Sequence, residues 1–242
     1  QRANYETGIE APAIAMGLDR PQTQRNTLFL NRGDGTYAEI GRMAGLDASE
    51  WSWGTVFLDV DLDGWEDVLV ANGNNHDLLD GDATIAAVIA MRSATRGQIP
   101  QTLLMYPSLH TPNLAFRNRG DLTFEEISET WGFNEVGISQ GICLADLDRD
   151  GDLDVVVNNL QGTPSLYRNN TIRPRMSVRL QSQGRNPRGI GARLRLALPG
   201  STEIPQQTKS MTTGGRYLSS DDNVIVFATF EEGGEMRLEV DW

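Results

Sequence analysis

Cysteine is almost absent from this chain, which has Cys143 alone among its 242 residues. No internal disulfide can form, so the fold depends on packing rather than on covalent cross-links. The thiol lies in the apolar run 141–145, which predicts a buried structural residue, because a reactive thiol needs an exposed, electropositive setting. Histidine is scarce as well: His76 and His110 have no cysteine or second histidine at metal-ligand spacing, which argues against a zinc site.

Long apolar runs and an excess of positive charge are also missing. No apolar stretch reaches about 18 residues, the length that a membrane-spanning helix requires. The 21 lysines and arginines are outnumbered by 33 aspartates and glutamates, which gives a net charge of −12. This balance argues against nucleic acid or an anionic membrane as a partner. The length suffices for one large β domain or two modest ones.

The acidic residues concentrate in two nine-residue runs, 59–67 and 146–154, that share the pattern D-x-D-x-D-G-x-x-D. Carboxylates at loop positions 1, 3, 5 and 9, with the backbone carbonyl at position 7, can surround one calcium ion with oxygen. A single run of this kind would be interpreted as a solvated acidic turn, but two complete copies favour two Ca²⁺ sites. The predicted ligands are Asp59, Asp61, Asp63, Trp65 (through its backbone) and Asp67 in the first run, and Asp146, Asp148, Asp150, Asp152 (through its backbone) and Asp154 in the second.

Each acidic run leads directly into a β-branched stretch, 68–70 or 155–157. An EF-hand has a glutamate at loop position 12 and a helix on either side. Position 12 here is Val70 or Val157, within a strand pattern. The runs are therefore predicted to be calcium loops that connect two strands.

The acidic runs belong to an internal repeat, since residues 28–72 match residues 115–159 without a gap and a third copy begins at 166–170. Within the first copy the pattern predicts four short strands, at 27–31, 36–40, 54–58 and 67–72. Units of four short strands with Gly/Asp turns are typical of β-propeller blades, which stack because none can bury its own face.

Motif, repeat and strand order together resemble the FG-GAP/VCBS repeats, the blades of integrin-α-like β-propellers, over residues 25–172. The resemblance implies a mainly β fold of propeller-type blades with calcium loops. Two copies and a fragment cannot close a propeller, which typically needs at least four blades. Either the chain is a piece of a longer polypeptide, or another chain covers the open blade edges.

The segment 73–114 interrupts the repeat and favours one short helix. Residues 84–95 are rich in helix formers and follow 80–82, a plausible cap, so we expect about three helical turns. This helix either packs on the neighbouring blade or binds a partner. Residues 1–27 are expected to be irregular, with a strand or two.

Beyond about residue 173 the acidic repeats give way to Arg-rich strands with alternating polarity. These are predicted at 176–180, 192–198 and 237–242. Residues 185–193 and 214–219 resemble the two signatures of the ASPIC/UnbV domain, which follows such repeats in the cartilage acidic protein family. Residues 226–229 depart from that pattern, so the last module is divergent or incomplete. We therefore predict two parts, a repeat region over 1–172 and a small β domain over 173–242.

Two shorter motifs have simple explanations. Gly137–Gly141 matches G-x-S-x-G, but a nucleophile elbow needs a helix after the serine, and a strand is predicted there. Residues 32–34 and 119–121 spell Arg-Gly-Asp, and both fall at predicted hairpin turns, where glycine and aspartate are favoured. Neither motif therefore predicts catalysis or receptor recognition.

These observations predict a calcium-binding, non-catalytic protein-interaction or adhesion module of the cell envelope or extracellular space. Extracellular calcium modules have Kd values of about 10⁻⁴–10⁻³ M, so their sites would be empty in the cytosol. This places the protein outside the cytoplasm, whether periplasmic, cell-surface or secreted. The alternative is a structural subunit of a larger envelope assembly. An enzyme ranks third, because the sequence offers no nucleophile, general base or open metal site.

Overall fold

The computed structural model describes residues 25–93, 99–199, 204–230 and 234–242. The irregular segment predicted at the start of the chain lies almost entirely outside these residues. The described chain is mainly β, as predicted. The strands of the repeat region are β1 Phe29–Asn31, β2 Tyr37–Glu39, β3 Ser52–Leu58, β4 Asp67–Asn72, β5 Thr111–Pro112, β6 Leu114–Asn118, β7 Phe124–Glu126, β8 Val136–Gly137, β9 Ser139–Ala145, β10 Asp154–Asn159 and β11 Ser165–Tyr167.

Five further strands and three α-helices complete the described structure. The strands are β12 Arg175–Val178, β13 Arg193–Ala197, β14 Gln207–Ser210, β15 Ile225–Ala228 and β16 Arg237–Asp241. The helices are α1 Gly41–Ala44, α2 Gly81–Ser93 and α3 Ser128–Trp131, with a 3-10 helix at Ile99–Met105.

The largest sheet combines strands from two successive sequence repeats. Its order is β3-β4-β6-β7, with antiparallel neighbours throughout. Strands β3 and β4 come from the second half of the first copy, and β6 and β7 from the first half of the next. Each sheet thus combines the second half of one sequence repeat with the first half of the next. Each acidic run connects the first two strands of a sheet. Strand β4 is buried along its whole length because it lies at the centre.

The second sheet repeats this arrangement with one strand fewer. Its order is β9-β10-β11, and β11 comes from the third, partial copy. The hairpin β1–β2 forms a separate two-stranded sheet, equivalent to β6–β7 in the repeat. Among the described strands, no sheet closes on itself. The expected partial propeller therefore consists of one complete blade, one three-stranded blade and one half-blade.

Apolar side chains from both larger sheets form one core between them. Its buried members are Val56, Leu58, Leu69, Ala71, Ala115, Phe133, Ile142, Leu144, Val155 and Val157. The two sheets approach most closely at Gly54, where a Cβ atom would lie 2.5 Å from Ile142 Cγ2 and 2.7 Å from the carbonyl oxygen of Gln140. Glycine at this position is therefore required by the packing of one blade on the next.

The C-terminal β region (residues 173–242) covers the free face of the second blade. Gly141, the repeat equivalent of Gly54, faces Ser219 of this region instead of another blade. Two small sheets make up the region, β12-β15 and β14-β13-β16. Their shared core contains Ala192, Leu194, Leu196, Leu198, Met211, Ile225 and Phe227. The chain itself thus covers one face of the second blade.

Helix α2 begins three residues earlier than predicted, and the end of the predicted span lies outside the described residues. Asp80 acts as its cap, because Asp80 Oδ1 accepts a hydrogen bond of 2.8 Å from the Ala83 N–H. The helix packs mainly against the 3-10 helix, and it buries Ala87. Ile85 and Ile89, on its other side, are 62% and 60% exposed.

Cys143 is half-buried, so the expectation of a fully buried thiol is wrong. Strand β9 packs its alternate residues Ile142 and Leu144 into the core and turns Cys143 towards the C-terminal β region. Burial, and then the nearby Asp221 carboxylate, raises the pKa of the thiol, which keeps it protonated.

Candidate metal centre

The first loop (residues 59–67) and the second loop (residues 146–154) have the same backbone course. Position 4 of each is a non-glycine residue with positive φ, at 52° for Leu62 and 66° for Arg149. Position 6 is Gly64 or Gly151, with φ of 93° and 96°. Glycine adopts this conformation without the steric cost of a Cβ atom. The common sequence pattern therefore produces one common loop geometry.

Each loop brings three of its four predicted carboxylates together. Ligand oxygens of Asp59, Asp61 and Asp67 all lie within 4.8 Å of one another in the first loop. The second loop assembles its equivalents in the same way, namely Asp146, Asp148 and Asp154. Two acidic groups that could hold a metal ion thus lie at loop positions 1, 3 and 9.

The aspartate at position 9 connects its loop to the third strand of the sheet or to the residues just after that strand. Asp67 Oδ2 accepts from the Val60 N–H at 2.9 Å, and Asp67 Oδ1 accepts from the Asn118 N–H at 2.8 Å. Asp154 is bonded identically, by the N–H groups of Leu147 and Asn169, each at 2.9 Å. Because the third strand comes from the following repeat, each loop is completed by the next copy.

The aspartate at position 5 lies outside both groups and pairs with an arginine. Arg117 Nη2 lies 3.3 Å from Asp63 Oδ2, and the same atom forms a second ion pair with Asp61 Oδ2 at 2.6 Å. In the second loop, Asp150 Oδ2 lies 3.2 Å from Arg175. The four-carboxylate ligand sets predicted from the sequence are therefore assembled only in part.

Sequence reasoning missed these arginines, although the repeat contains a signal for one of them. The dipeptide Arg117-Asn118 recurs as Arg168-Asn169, and Arg168 Nε lies 2.8 Å from Asp148 Oδ2. Both arginines thus pair with the aspartate at position 3 of the preceding loop. Arg175 lies beyond the repeat, so no comparison of copies could have found it.

The predicted position-7 residues differ in their side chains. Trp65 is 37% exposed, and its ring packs against Gly120. Asp152 is 1% exposed, and neither of its carboxylate oxygens has a hydrogen-bond partner. Arg175 Nη1 lies 3.3 Å from Asp152 Oδ2, an ion pair without hydrogen-bond geometry.

Burial is the largest cause of the raised carboxylate pKa values found in the two loops. It raises the pKa of Asp59 to about 7 and that of Asp67 to about 8, against the smaller lowering effects of Lys209 and of backbone hydrogen bonds. Burial also raises the pKa of Asp152 to about 7, although Arg175 opposes this. A divalent cation would favour the ionised form of such carboxylates.

The residues present fit a hard cation. Asp61 Oδ1 and Asp146 Oδ1 are buried and have no hydrogen-bond partner. Buried polar atoms are normally satisfied, so an unpartnered carboxylate oxygen within a group of carboxylates fits a position beside a cation. An all-oxygen donor set suits calcium or magnesium rather than zinc or copper.

The other sequence motifs have local roles. In the first Arg-Gly-Asp turn, Asp34 Oδ1 accepts from the N–H of Thr36 at 2.9 Å and from its hydroxyl at 2.6 Å. The second turn uses Asp121 and Thr123 in the same way. Ser139 is buried and donates a 2.8 Å hydrogen bond to Asn159 Oδ1. These contacts are those of turn and core residues.

Known proteins place this architecture in a family. The FG-GAP-like repeat family matches residues 14–70 and 79–157, which together form more than half of the chain. The chain therefore belongs to the FG-GAP-like repeat proteins. Membership favours a non-catalytic protein-interaction module.

No described helix is long and apolar enough to cross a bilayer.

Two curated relatives share part of the sequence. Cartilage acidic protein 1 from Xenopus tropicalis and from Homo sapiens are each 40% identical to this chain over 57 residues. The match covers 23% of this chain and 9% of either relative. The similarity supports the family assignment made from the repeats.

Proposed function

We propose that this protein is a calcium-binding, non-catalytic protein-interaction module of the cell envelope or extracellular space. The observation that carries the proposal is the pair of equivalent loops, each with three converging carboxylates of which one, Asp61 or Asp146, has a buried and unpartnered oxygen. Asp63, Asp150 and the backbone carbonyls of Trp65 and Asp152 would complete the two ligand sets.

Calcium would supply positive charge to a group of partly buried carboxylates. The chain's own residues set the loop shape, since Asp67 and Asp154 bind backbone N–H groups on both sides of their loops. With Kd values of about 10⁻⁴–10⁻³ M, ~1 mM calcium stabilises each site by roughly 0.4–1.4 kcal/mol. Such sites fill outside the cytoplasm, which supports a periplasmic, cell-surface or secreted location.

Native mass determination with and without a chelator, together with calcium titration calorimetry, tests the proposal. We expect two calcium ions in the wild-type protein and none in the Asp61→Asn, Asp148→Asn double variant. Asp82→Asn is a matched control, because Asp82 is an exposed carboxylate on α2. Absence of calcium from the wild-type protein at 1 mM would end the proposal.

We also propose that residues 173–242 form an ASPIC/UnbV-like β domain after a repeat region over 1–172. Supporting this, both signature stretches have glycines with positive φ, namely Gly189 and Gly191 in one and Gly214 and Gly215 in the other. Calorimetric unfolding should then give two transitions. A single transition, unchanged by substitutions confined to the C-terminal β region, would contradict the division.

A second candidate function is a structural subunit of a larger envelope assembly. The observation that favours it is the exposed apolar surface of α2 and the adjacent 3-10 helix, where Ile85, Val88, Ile89 and Leu104 are 46–77% exposed. Native mass of protein extracted from its source distinguishes the two functions. A multi-chain complex that survives in chelator supports the subunit, whereas a single chain opposes it.

A further inference from the structure

We infer that the two acidic loops together form the docking face for the C-terminal β region, and that ion binding at the loops controls how firmly this region is held. The inference rests on the proposed calcium function. It extends that function from the stabilisation of two loops to the control of contact between two parts of the chain.

Apolar side chains of both loops pack directly on the C-terminal β region. Leu62, at position 4 of the first loop, is 3% exposed and joins a cluster with Val224, Val226 and Ala228. Leu153, at position 8 of the second loop, packs against the same cluster. Leu62 reaches it from a left-handed backbone conformation that belongs to the loop geometry. A change in loop shape would therefore move apolar contacts of β15.

A polar anchor joins the second loop to β12. The Nε and Nη2 groups of Arg175 donate to the carbonyl oxygen of Asp150 at 3.1 and 2.9 Å, and its Nη1 donates to the carbonyl oxygen of Thr171 at 2.7 Å. The guanidinium also pairs with the side chains of Asp150 and Asp152. The Arg175 side chain is 16% exposed, and its bonds to Asp150 lie at the protein surface. Because the guanidinium is charged, these bonds are stronger than those between neutral groups.

The first loop meets the segment before β14 at close range. A Cβ atom on Gly64 would lie 2.7 Å from Pro205 Cδ and 2.9 Å from Ile204 Cγ2, so the backbone of the loop packs directly against these two side chains. The adjacent Lys209 Nζ lies 2.7 Å from Glu66 Oε1. These contacts depend on the shape of the loop.

Loop shape connects ion binding to docking. Without a cation, the converging carboxylates repel one another and are poorly solvated, which favours other loop conformations. An ion that binds only the ordered loop stabilises that conformation and every contact that depends on it. Arg175 bonds mainly to backbone carbonyls, so it can remain in place when the Asp150 side chain turns towards an ion.

Hydrogen–deuterium exchange of the full chain, with calcium or with chelator, tests the inference. At 1 mM calcium we expect exchange to be about 2–10-fold slower in peptides covering β12, β14 and β15. The reference is the hairpin β1–β2, which takes no part in the loop contacts described above. Its exchange rate should change less with calcium. Calcium binding is measured on the same samples by native mass.

Arg175→Lys and Arg195→Lys form the matched pair of variants. Arg195 pairs with Glu239 at 2.9 Å inside the C-terminal β region and touches neither loop. We expect Arg175→Lys to reduce the calcium-dependent protection of β12, and Arg195→Lys to keep it. Calcium bound with equal or faster exchange in these strands would overturn the inference while the proposed function stands. Absence of bound calcium would remove both.

Discussion

At the scale of single residues, arginine side chains add positive charge beside the carboxylates of each acidic loop. Arg117 pairs with both Asp61 and Asp63, and Arg175 with Asp150 and Asp152. Each guanidinium reduces repulsion among the carboxylates in the absence of an ion. Each also adds positive charge beside a site that would receive a divalent cation, so it should weaken ion binding.

Replacement of Arg117 by glutamine should therefore tighten calcium binding at the first loop. The guanidinium is 41% exposed, so solvent screens its repulsion to about 0.5–1 kcal/mol, which corresponds to roughly 2–5-fold in Kd. Calcium titration calorimetry measures the change. Arg119→Gln is the control, because Arg119 pairs with Glu125 in the same hairpin away from the loop. Weaker binding in Arg117→Gln would indicate that the arginine positions the carboxylates instead.

A second residue-scale prediction concerns pH. Two hydrogen bonds from Arg179, at 2.6 and 3.2 Å, hold the pKa of Asp222 below its usual value. A lowered folded-state pKa contributes stability above the unfolded-state value, and this contribution is lost as pH falls through the folded-state value. In chelator, Asp222→Asn should cost about 0.5 kcal/mol at pH 7 and progressively less below pH 4. Urea denaturation at pH 7 and at a pH below 4 measures the loss of unfolding free energy. An equal loss under the two conditions would contradict the prediction.

At the scale of elements, strand exchange joins successive sequence repeats within one sheet, and close packing holds that sheet against the next. Hairpin β6–β7 completes the sheet of β3–β4, and the Asn118 N–H completes the first loop. The two larger sheets also pack closely at Gly54, where a Cβ atom would collide with the neighbouring sheet. The blades are consequently one packed unit, with its core between the two larger sheets.

Gly54→Ala should destabilise the fold by about 1–3 kcal/mol, because the new methyl group would collide with Ile142 and the backbone of Gln140. Thermal or urea denaturation measures the loss. Gly137→Ala is the control, since a Cβ atom there meets nothing within 4 Å and φ is not positive. Equal stabilities of the two variants would mean that the sheets can separate at little cost.

At the scale of the whole molecule, both loops lie where the blades meet the C-terminal β region. Leu62 and Leu153 pack on one apolar cluster with β15, and Lys209 reaches Glu66. Ion binding at the loops should therefore stabilise the whole chain rather than one hairpin.

Millimolar calcium should raise the melting temperature by about 2–10 °C relative to chelator, from two sites of roughly 0.4–1.4 kcal/mol each. Scanning calorimetry at constant ionic strength measures the shift. The Asp59→Asn, Asp146→Asn double variant should lose it, whereas Asp82→Asn should keep it. If calcium raised the melting temperature of the double variant by the same amount, the effect would be due to general salt screening.

The sequence by itself determined the local features. The spacing within 59–67 and 146–154 specifies a turn with its aspartates on one side, and the Arg-Gly-Asp turns form as their composition predicts. Strand identity and the mainly β fold were predictable for the same reason, since alternating polarity and glycine placement act within a few residues. The assignment of individual ligands, of the ions and of the two domains stays a prediction.

Only the tertiary structure decided which distant residues meet. The exchange of strands between repeats, the arginines at Asp63 and Asp150, and the contact of Gly141 with Ser219 join residues far apart in the chain. The half-burial of Cys143 likewise follows from the packing of the C-terminal β region beside β9. The local sequence around Cys143 does not predict this contact. Such contacts depend on the geometry of the assembled sheets, because neighbouring positions in space are fixed by packing and not by spacing along the sequence.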